Sequence, residues 1–441
     1  MLSLAESLVL TSNMRLVRKK YLPGIALLLA TGMWLYVHQV LRPYERERYA
    51  ALGQPENIGD LYPRWYGTRE LLLHGRDPYS AAVSGEIQIA YYGHPLDQKD
   101  PVDRARDEQR FAYPLYAALL LAPTAWLSFA ATQTVLRWTL VSATILSVLL
   151  WLRALRWRPG LPIVLTVVLL TLSSPPLVQG LGLQQLGLLV GFFLASCAAL
   201  LASGSLLAAG CFLAFATIKP QLALLPVLWL LLWATGDWRV RQRLVWGFAG
   251  TMVILAGAAQ WLSPGWLPRF VQGLFAYTHY AGMSSLLDFY LSPALAKPVG
   301  LFALLALGVA CYQWRRESVA SDGFFLKFAL VLAVSILVLP PLLPPFNQVL
   351  LLPGFLAVMR YWNTLWNGGR GIRAVCALGA VVVFWPWLAA PLLVLRHTLA
   401  QGSSLSRMWL SPLAMSFGVP PLLLILLMQL FKERGDQRRI V

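Results

Sequence analysis

The chain has 441 residues, 58% hydrophobic and only 12% charged, with a formal net charge of +17. Its mean hydropathy of +0.62 excludes a soluble globular protein. Its Lys and Arg sit in short connectors between apolar runs rather than on an exposed basic face, which excludes nucleic acid as a partner.

Apolar runs near the ~20 residues that cross a bilayer recur from Ala26 to Phe431. Arg15, Arg18, Lys19 and Lys20 precede the first of them and no small-residue cleavage site follows it, so the start reads as uncleaved. Spans are expected at roughly 22–41, 133–153, 161–179, 184–202, 204–219, 220–236, 242–262, 294–313, 324–343, 345–362, 374–396 and 409–431. The fold class is therefore all-α polytopic, with about twelve transmembrane helices and a first external loop that carries a juxtamembrane helix. The expected organisation is a cytoplasmic segment 1–21, then a catalytic membrane module 22–262 that includes external loop 42–132. An external loop 263–293, a C-terminal membrane module 294–431 and a cytoplasmic tail 432–441 follow. Orientation turns on Tyr113–Ala130, which Pro114 and Pro123 punctuate. If that segment does not cross, the basic connectors at Arg153–Arg158, Arg239–Arg243, Arg315–Arg316 and Arg360–Arg373 all face the cytoplasm, as the positive-inside rule requires. Asp60, the turn Gln179–Gln185, Lys219, the loop Ser263–Pro293 and the turn Pro344–Gln348 then share the opposite face. The basic connectors look dispensable.

The acidic residues are concentrated. Of nineteen, twelve lie between Glu45 and Glu108, so carboxylate chemistry belongs to the first loop. Residues 62–73 there carry Trp65, Tyr66, Leu72 and Leu73 with Arg64, Arg69 and Glu70 among them, the pattern of a short amphipathic helix at the interface. Asp60 stands just before it. Two readings are open: a helix N-cap, or a general base whose pKa rises by partial desolvation at headgroup level. Gly75 supplies a left-handed stop, and Asp77 in Gly75-Arg76-Asp77-Pro78-Tyr79 suits a turn former. Gly93 to Arg110 is charged, Pro-containing and poor in large apolar residues, so it reads as a solvated excursion without chemistry.

Lys219, in Thr217-Ile218-Lys219-Pro220-Gln221, interrupts more than thirty nearly continuous apolar residues and has no acid near it in sequence. It either snorkels to the interface or holds a lipid phosphate. Gln179, Gln184 and Gln185 are suited to bonding a sugar or a headgroup, or to capping a span junction. His279 in the later external loop is a phosphate or sugar ligand candidate beside interface aromatics. The four cysteines lie in apolar runs without metal-ligand spacing and read as small buried hydrophobes. No Asp-x-Asp, P-loop, GxSxG or HExxH pattern occurs, so no metal and no cofactor are expected.

Taken together these landmarks resemble glycosyltransferase family 87. An Asp follows the first span, and an aromatic- and Arg-bearing helix ends Leu-Leu-x-His-Gly-Arg-Asp-Pro-Tyr. Phe111-Ala112-Tyr113-Pro114, the turn Gly182–Gln185, Ile218-Lys219-Pro220 and Pro344-Pro345-Phe346-Asn347-Gln348 follow in order, over about residues 58–353. Leu115 stands where a second Pro is usual. The resemblance implies a GT-C-type fold and an inverting transferase in the inner (plasma) membrane, active on the periplasmic, extracytoplasmic side. It would move a hexose or pentose, mannose-like by preference, from a polyprenyl-phosphate donor to a glycolipid or glycan acceptor. Asp60 would then be the catalytic base, and Lys219, His279, Arg64 and Arg69 the donor-phosphate contacts. Asp77, Tyr79, Gln184, Gln185, Asn347 and Gln348 would bind sugar or acceptor. A twelve-span secondary transporter or flippase of envelope precursors is the competing expectation, though no internal repeat and no acid at a span centre favours it.

Overall fold

The computed structural model describes residues 20–51, 58–97, 99–104, 106–280, 285–321, 323–339, 344–399 and 411–437, with the backbone alone at 276–280, 414–415 and 434–437. Nearly all of the expected segment 1–21 lies outside them. Every regular element among the described residues is helical.

Six helices are long and apolar enough to cross a membrane: Lys20–Ala51, Phe129–Ala154, Trp238–Leu262, Pro293–Trp314, Arg370–Leu399 and Ser411–Glu433. Each overlies an expected span. A seventh crossing, Leu161–Leu172 with Pro175–Gly182, is bent by 51° where Ser173 and Ser174 interrupt it. The expected spans at 184–202, 204–219, 220–236 and 324–343 become shorter apolar helices, Gly187–Ala202, Leu206–Ala216, Pro220–Thr235 and Phe324–Val338. At 1.5 Å per residue a 16-residue helix reaches only about 24 Å, short of a ~30 Å hydrocarbon core. The expected span at 345–362 is a 3-10 turn, Pro345–Leu351, running into Leu352–Arg360. So the count of twelve full-length spans is not reproduced by helix length. The breaks fall at Gly204-Ser205, Lys219-Pro220 and Pro344-Pro345, where glycine, proline or an ionisable group ends the hydrogen-bond ladder. Such non-helical backbone is tolerated at membrane depth only inside protein: Gly204-Ser205 is an exposed turn, whereas the breaks beside Gln184, Gln185, Lys219, Asn347 and Gln348 place those side chains in the core.

Before the helix that starts at Phe129, Tyr113–Ala130 holds Ala117–Leu121 and the 3-10 turn Ala122–Thr124, neither long enough to cross. The helix expected in the first loop is present as Leu61–His74, and Gly75 stops it at φ +65° with the Arg76 N–H folded back onto Glu70 O. A second helix, Ala81–Tyr92, lies against it, started by the Ser80 hydroxyl accepting from the Val83 N–H. The expected amphipathic pattern of the first helix is not reproduced, since Leu61, Pro63, Trp65, Gly67, Thr68, Glu70 and Leu71 are buried all round it; Trp266–Tyr280, in the later loop, is the amphipathic one.

The basic connectors are structural. The buried Arg241 guanidinium donates to the carbonyls of Trp233 (2.9 Å), Arg315 (2.6 Å) and Glu317 (2.9 Å). Lys327 pairs with Glu317 at 2.6 Å. The expectation that these connectors are dispensable is corrected on that ground: they satisfy helix C-termini that would otherwise be left unpaired.

Close helix packing rests on small residues, as is usual in membrane bundles. Leu206–Ala216 and Trp238–Leu262 touch backbone to backbone at Gly210 and Gly247, where an added Cβ would strike Leu244 O and Leu207 O respectively. Gly247→Ala should therefore cost about 1–3 kcal/mol by overpacking, read as a lowered melting temperature in detergent. Gly250→Ala, with nothing within 4 Å of its added Cβ, should leave it unchanged.

Candidate active site

Asp60 occupies the N-cap position of Leu61–His74, with φ −70° and ψ −8°, but its side chain caps nothing. Of its two open readings the cap is set aside, because the carboxylate is engaged elsewhere. The Asp60 N–H donates to Leu183 O at 3.0 Å, and Gln185 Nε2 donates to Asp60 Oδ2. Gly59 allows this approach: its φ of +77° suits glycine, and an added Cβ would lie 3.3 Å from Leu183 O.

Gln185 continues the chain of contacts. Its Oε1 accepts from Lys219 Nζ at 3.1 Å, and Asn347 Oδ1 accepts from the same ammonium at 3.3 Å. The amide can serve a carboxylate and an ammonium together only in this orientation, since the carboxylate needs a donor and the ammonium an acceptor. One side chain thus joins Asp60, 125 residues before it, to Lys219, 34 residues after it. Lys219 is 7% exposed, and no carboxylate among the described residues forms an ion pair with it. The Phe346 ring lies 4.7 Å from its nitrogen and shares in stabilising the cation. Gln179 fixes this last turn by accepting from the Phe346 N–H at 3.0 Å.

The helix breaks aim positive potential at the same spot. Leu61–His74, Gly187–Ala202 and Pro220–Thr235 begin immediately after Asp60, two residues after Gln185 and immediately after Lys219. Unpaired N–H groups at helix starts favour anions. Gly187 keeps the space beside the ammonium open: an added Cβ would lie 3.7 Å from Lys219 Nζ and 3.8 Å from Asn347 Oδ1.

Arg64, one turn along from Asp60, donates to the Asp60 carbonyl and lies 4.8 Å over the Tyr113 ring. Arg69 does not join it. Nine residues from Asp60 it is on the opposite side of the helix, 5.5 Å over Trp65. Gln184, at φ +53°, donates to Gln133 O at 2.7 Å, while its Oε1 is buried without a hydrogen-bond partner among the described residues. Gln348 is buried on the 3-10 turn beside Asn347. Asp77 and Tyr79 have other attachments. Asp77 accepts from the Tyr79 N–H at 3.1 Å and pairs with Arg269 at 3.0 Å, and the Tyr79 hydroxyl donates to Tyr113 O at 2.7 Å. They tie the first loop to the Trp266–Tyr280 helix. His279 is on the last turn of that helix, and its side chain lies outside the described residues.

Two groups escape a sequence reading. Glu70, buried, and Glu86 grip Arg76 at 2.7 and 2.6 Å, and Tyr66 donates to Glu86 at 2.7 Å. Bonds from Arg76 and then Tyr66 hold the Glu86 carboxyl below the ordinary range. The second is Asp107. The stretch expected to be a solvated excursion folds back, with Asp103 and Glu108 buried and the Gln88 amide donating to Glu108 O at 2.8 Å. It returns Asp107 to the neighbourhood of Asp60 and Arg64. Crowding by neighbouring groups, although Asp107 keeps contact with solvent, and next the Asp60 charge push its carboxyl up, while Arg64 opposes them. The adjacent hydroxyls of Tyr91 and Tyr92 were the available signal, two polar aromatics at the root of the excursion.

The model of glycosyltransferase family 87 matches residues 111–341, just over half of the chain. The match contains Gln184, Gln185 and Lys219, begins after Asp60 and ends before Asn347. No curated protein and no solved structure matches significantly.

A buried ammonium without an acid is a cost to folding. Replacing it by an apolar side chain of similar length removes that cost and deprives two amides of a donor worth about 1 kcal/mol each. Lys219→Met should therefore hold or raise the melting temperature in detergent. A clear drop would mean that the lysine serves packing.

Proposed function

The chain belongs to glycosyltransferase family 87, and from that premise we propose that it transfers a hexose or pentose, mannose-like by preference, from a polyprenyl-phosphate donor to a glycolipid or glycan acceptor. It is a membrane glycosyltransferase. The reaction takes place on the extracytoplasmic side of the inner (plasma) membrane, the face opposite the basic connectors. Membership of this family removes the ground for the transporter reading.

The observation that carries the proposal is the line Asp60–Gln185–Lys219–Asn347. It sets a carboxylate and a buried cation on either side of one amide, as a displacement at a sugar phosphate requires. The Asp60 carboxylate accepts the proton of the acceptor hydroxyl, and the freed oxygen forms a bond to the anomeric carbon. The bond from that carbon to the phosphate oxygen breaks, and the polyprenyl phosphate leaves with the electron pair. Attack opposite the leaving group inverts the configuration. Negative charge then grows on the leaving phosphate, where the Lys219 ammonium and the helix N-termini beside it are already oriented. Because these groups need no reorganisation, they favour the transition state over the bound donor.

Arg64 holds the Asp60 carbonyl and adds positive charge on the donor side. Arg69 faces away and takes no part. His279 is retained as a second phosphate contact. Gln184, Gln185, Asn347 and Gln348 supply amides for sugar hydroxyls, with the Gln184 Oε1 still available. Asp77 and Tyr79 keep the acceptor side in shape through Arg269 and Tyr113.

Purified protein given radiolabelled polyprenyl-phosphate sugars should yield a product of inverted anomeric configuration by NMR. Lys219→Met should slow transfer by about 10²–10³-fold, the usual effect of removing one stabilising donor. Retention of configuration, or a Lys219→Met enzyme as fast as wild type, would contradict this assignment.

A further inference from the structure

Four groups converge where the first loop meets the excursion: Asp60, Arg64, Tyr91 and Asp107. The Tyr91 hydroxyl feels the charges of the other three, with desolvation the larger influence on it. Consecutive tyrosines fix the two carboxylate-bearing segments. Tyr91 donates to Gly59 O, the residue before Asp60, and Tyr92 donates to Asp107 O at 2.7 Å. Both rings belong to the helix Ala81–Tyr92, so the spacing of the segments is set by one rigid element. The Asp107 side chain is bonded by the residue two positions on. Gln109 sits at φ +38°, which side chains rarely adopt, and its amide donates to Asp107 Oδ2 at 3.2 Å.

The two carboxylates differ in their access. Asp60 is backed by Gln185 and the buried Lys219, whereas Asp107 keeps contact with solvent. The cluster therefore runs from a closed, cationic end to an open, acidic one. The closed end suits the donor phosphate, which leaves the open end for the second substrate. A carboxylate has about four acceptor sites, so an exposed one near the base can take hydrogen bonds beyond that from Gln109, and sugar hydroxyls are suitable donors. A carboxylate there would also repel an anionic donor that entered the wrong way round.

We propose that Asp107 is a specificity-determining residue of the acceptor site, accepting hydrogen bonds from hydroxyls of the acceptor sugar next to the one that Asp60 deprotonates. The acceptor is thus a polyhydroxylated sugar presented from the solvent side, uncharged near the reacting carbon. This rests on the transferase reading above and adds the recognition of its second substrate.

The test uses the full chain in lipid nanodiscs, a short-chain polyprenyl-phosphate sugar as donor, and octyl glycosides with their monodeoxy analogues as acceptors. Transfer to the glycoside and hydrolysis of the donor by water are both measured. Asp107→Ala should raise the acceptor KM about tenfold or more, the loss expected for a hydrogen bond to a charged group. Its kcat should stay within about threefold and its donor hydrolysis should match wild type. One monodeoxy acceptor should be used equally well by wild type and Asp107→Ala, which identifies the hydroxyl that Asp107 holds. Asp107→Glu, which keeps the charge, should recover part of the KM. An unchanged acceptor KM in both variants, with the wild-type ranking of the deoxy series intact, overturns the assignment while leaving the transferase standing. A fall in kcat at constant KM overturns it too, by placing Asp107 in the chemistry. Neither transfer nor hydrolysis by wild type with any donor sinks both readings together.

Discussion

The burial of the Lys219 ammonium away from any directly paired acid is the constraint on which the rest depends. A cation so placed is costly, and here two neutral amides and a ring take the place of a carboxylate. The carboxylate that would pair with it most simply, Asp60, is kept one amide away by Gln185. A direct ion pair would neutralise both groups and leave neither a base nor an anion site. The interposed amide keeps them linked in position and separate in charge. Stability is given up locally for an arrangement that only a ligand completes.

The broken helices follow from the same constraint. Three polar turns must reach one buried point, which continuous spans cannot provide, so the chain is interrupted at Gln184-Gln185, Lys219-Pro220 and Pro344-Pro345. Each interruption brings a polar side chain to the site: Gln185, Lys219 and Asn347. The helices of the first and later loops hold the rest of it. Leu61–His74 delivers Asp60 and Arg64 on one face, and its far end is clamped by Glu70, Arg76 and Glu86. Arg269 draws Trp266–Tyr280 onto Asp77. Thus the loop that bears the base is tied to the membrane bundle at both ends.

Much of this was legible in the sequence, and the reasons are specific. The six long apolar helices and the first-loop helix follow from apolar length and from Gly75, which are local properties. Lys219 stood out because an ionisable residue inside an apolar run has few explanations, and Asp60 because carboxylates are rare outside the first loop. Gln185 was visible as one of three glutamines, but its role as the link between Asp60 and Lys219 depends on a contact across 125 residues that no periodicity encodes. Helix length misled at 184–236, where composition alone cannot tell a full span from two shorter helices meeting at a break. Arg69 looked equivalent to Arg64 until the helical angle separated them. Asp107 was passed over because a polar, charged stretch resembles a solvated one, and only the tyrosines of the preceding helix return it to the site. The basic connectors were misjudged for a related reason: Arg241 bonds backbone carbonyls, which leave no trace in side-chain pattern.

The central claim is that Asp60 is the base. Its most direct test is the rate of labelled sugar transfer from a polyprenyl-phosphate donor by Asp60→Asn against wild type, at matched protein level and melting temperature. The substitution keeps the size of the side chain and removes its ability to take a proton. A loss of about 10³-fold or more, within reach of general-base catalysis by one positioned carboxylate, is the predicted result. Equal rates would contradict the account and leave the carboxylate beside Gln185 without a part in the chemistry.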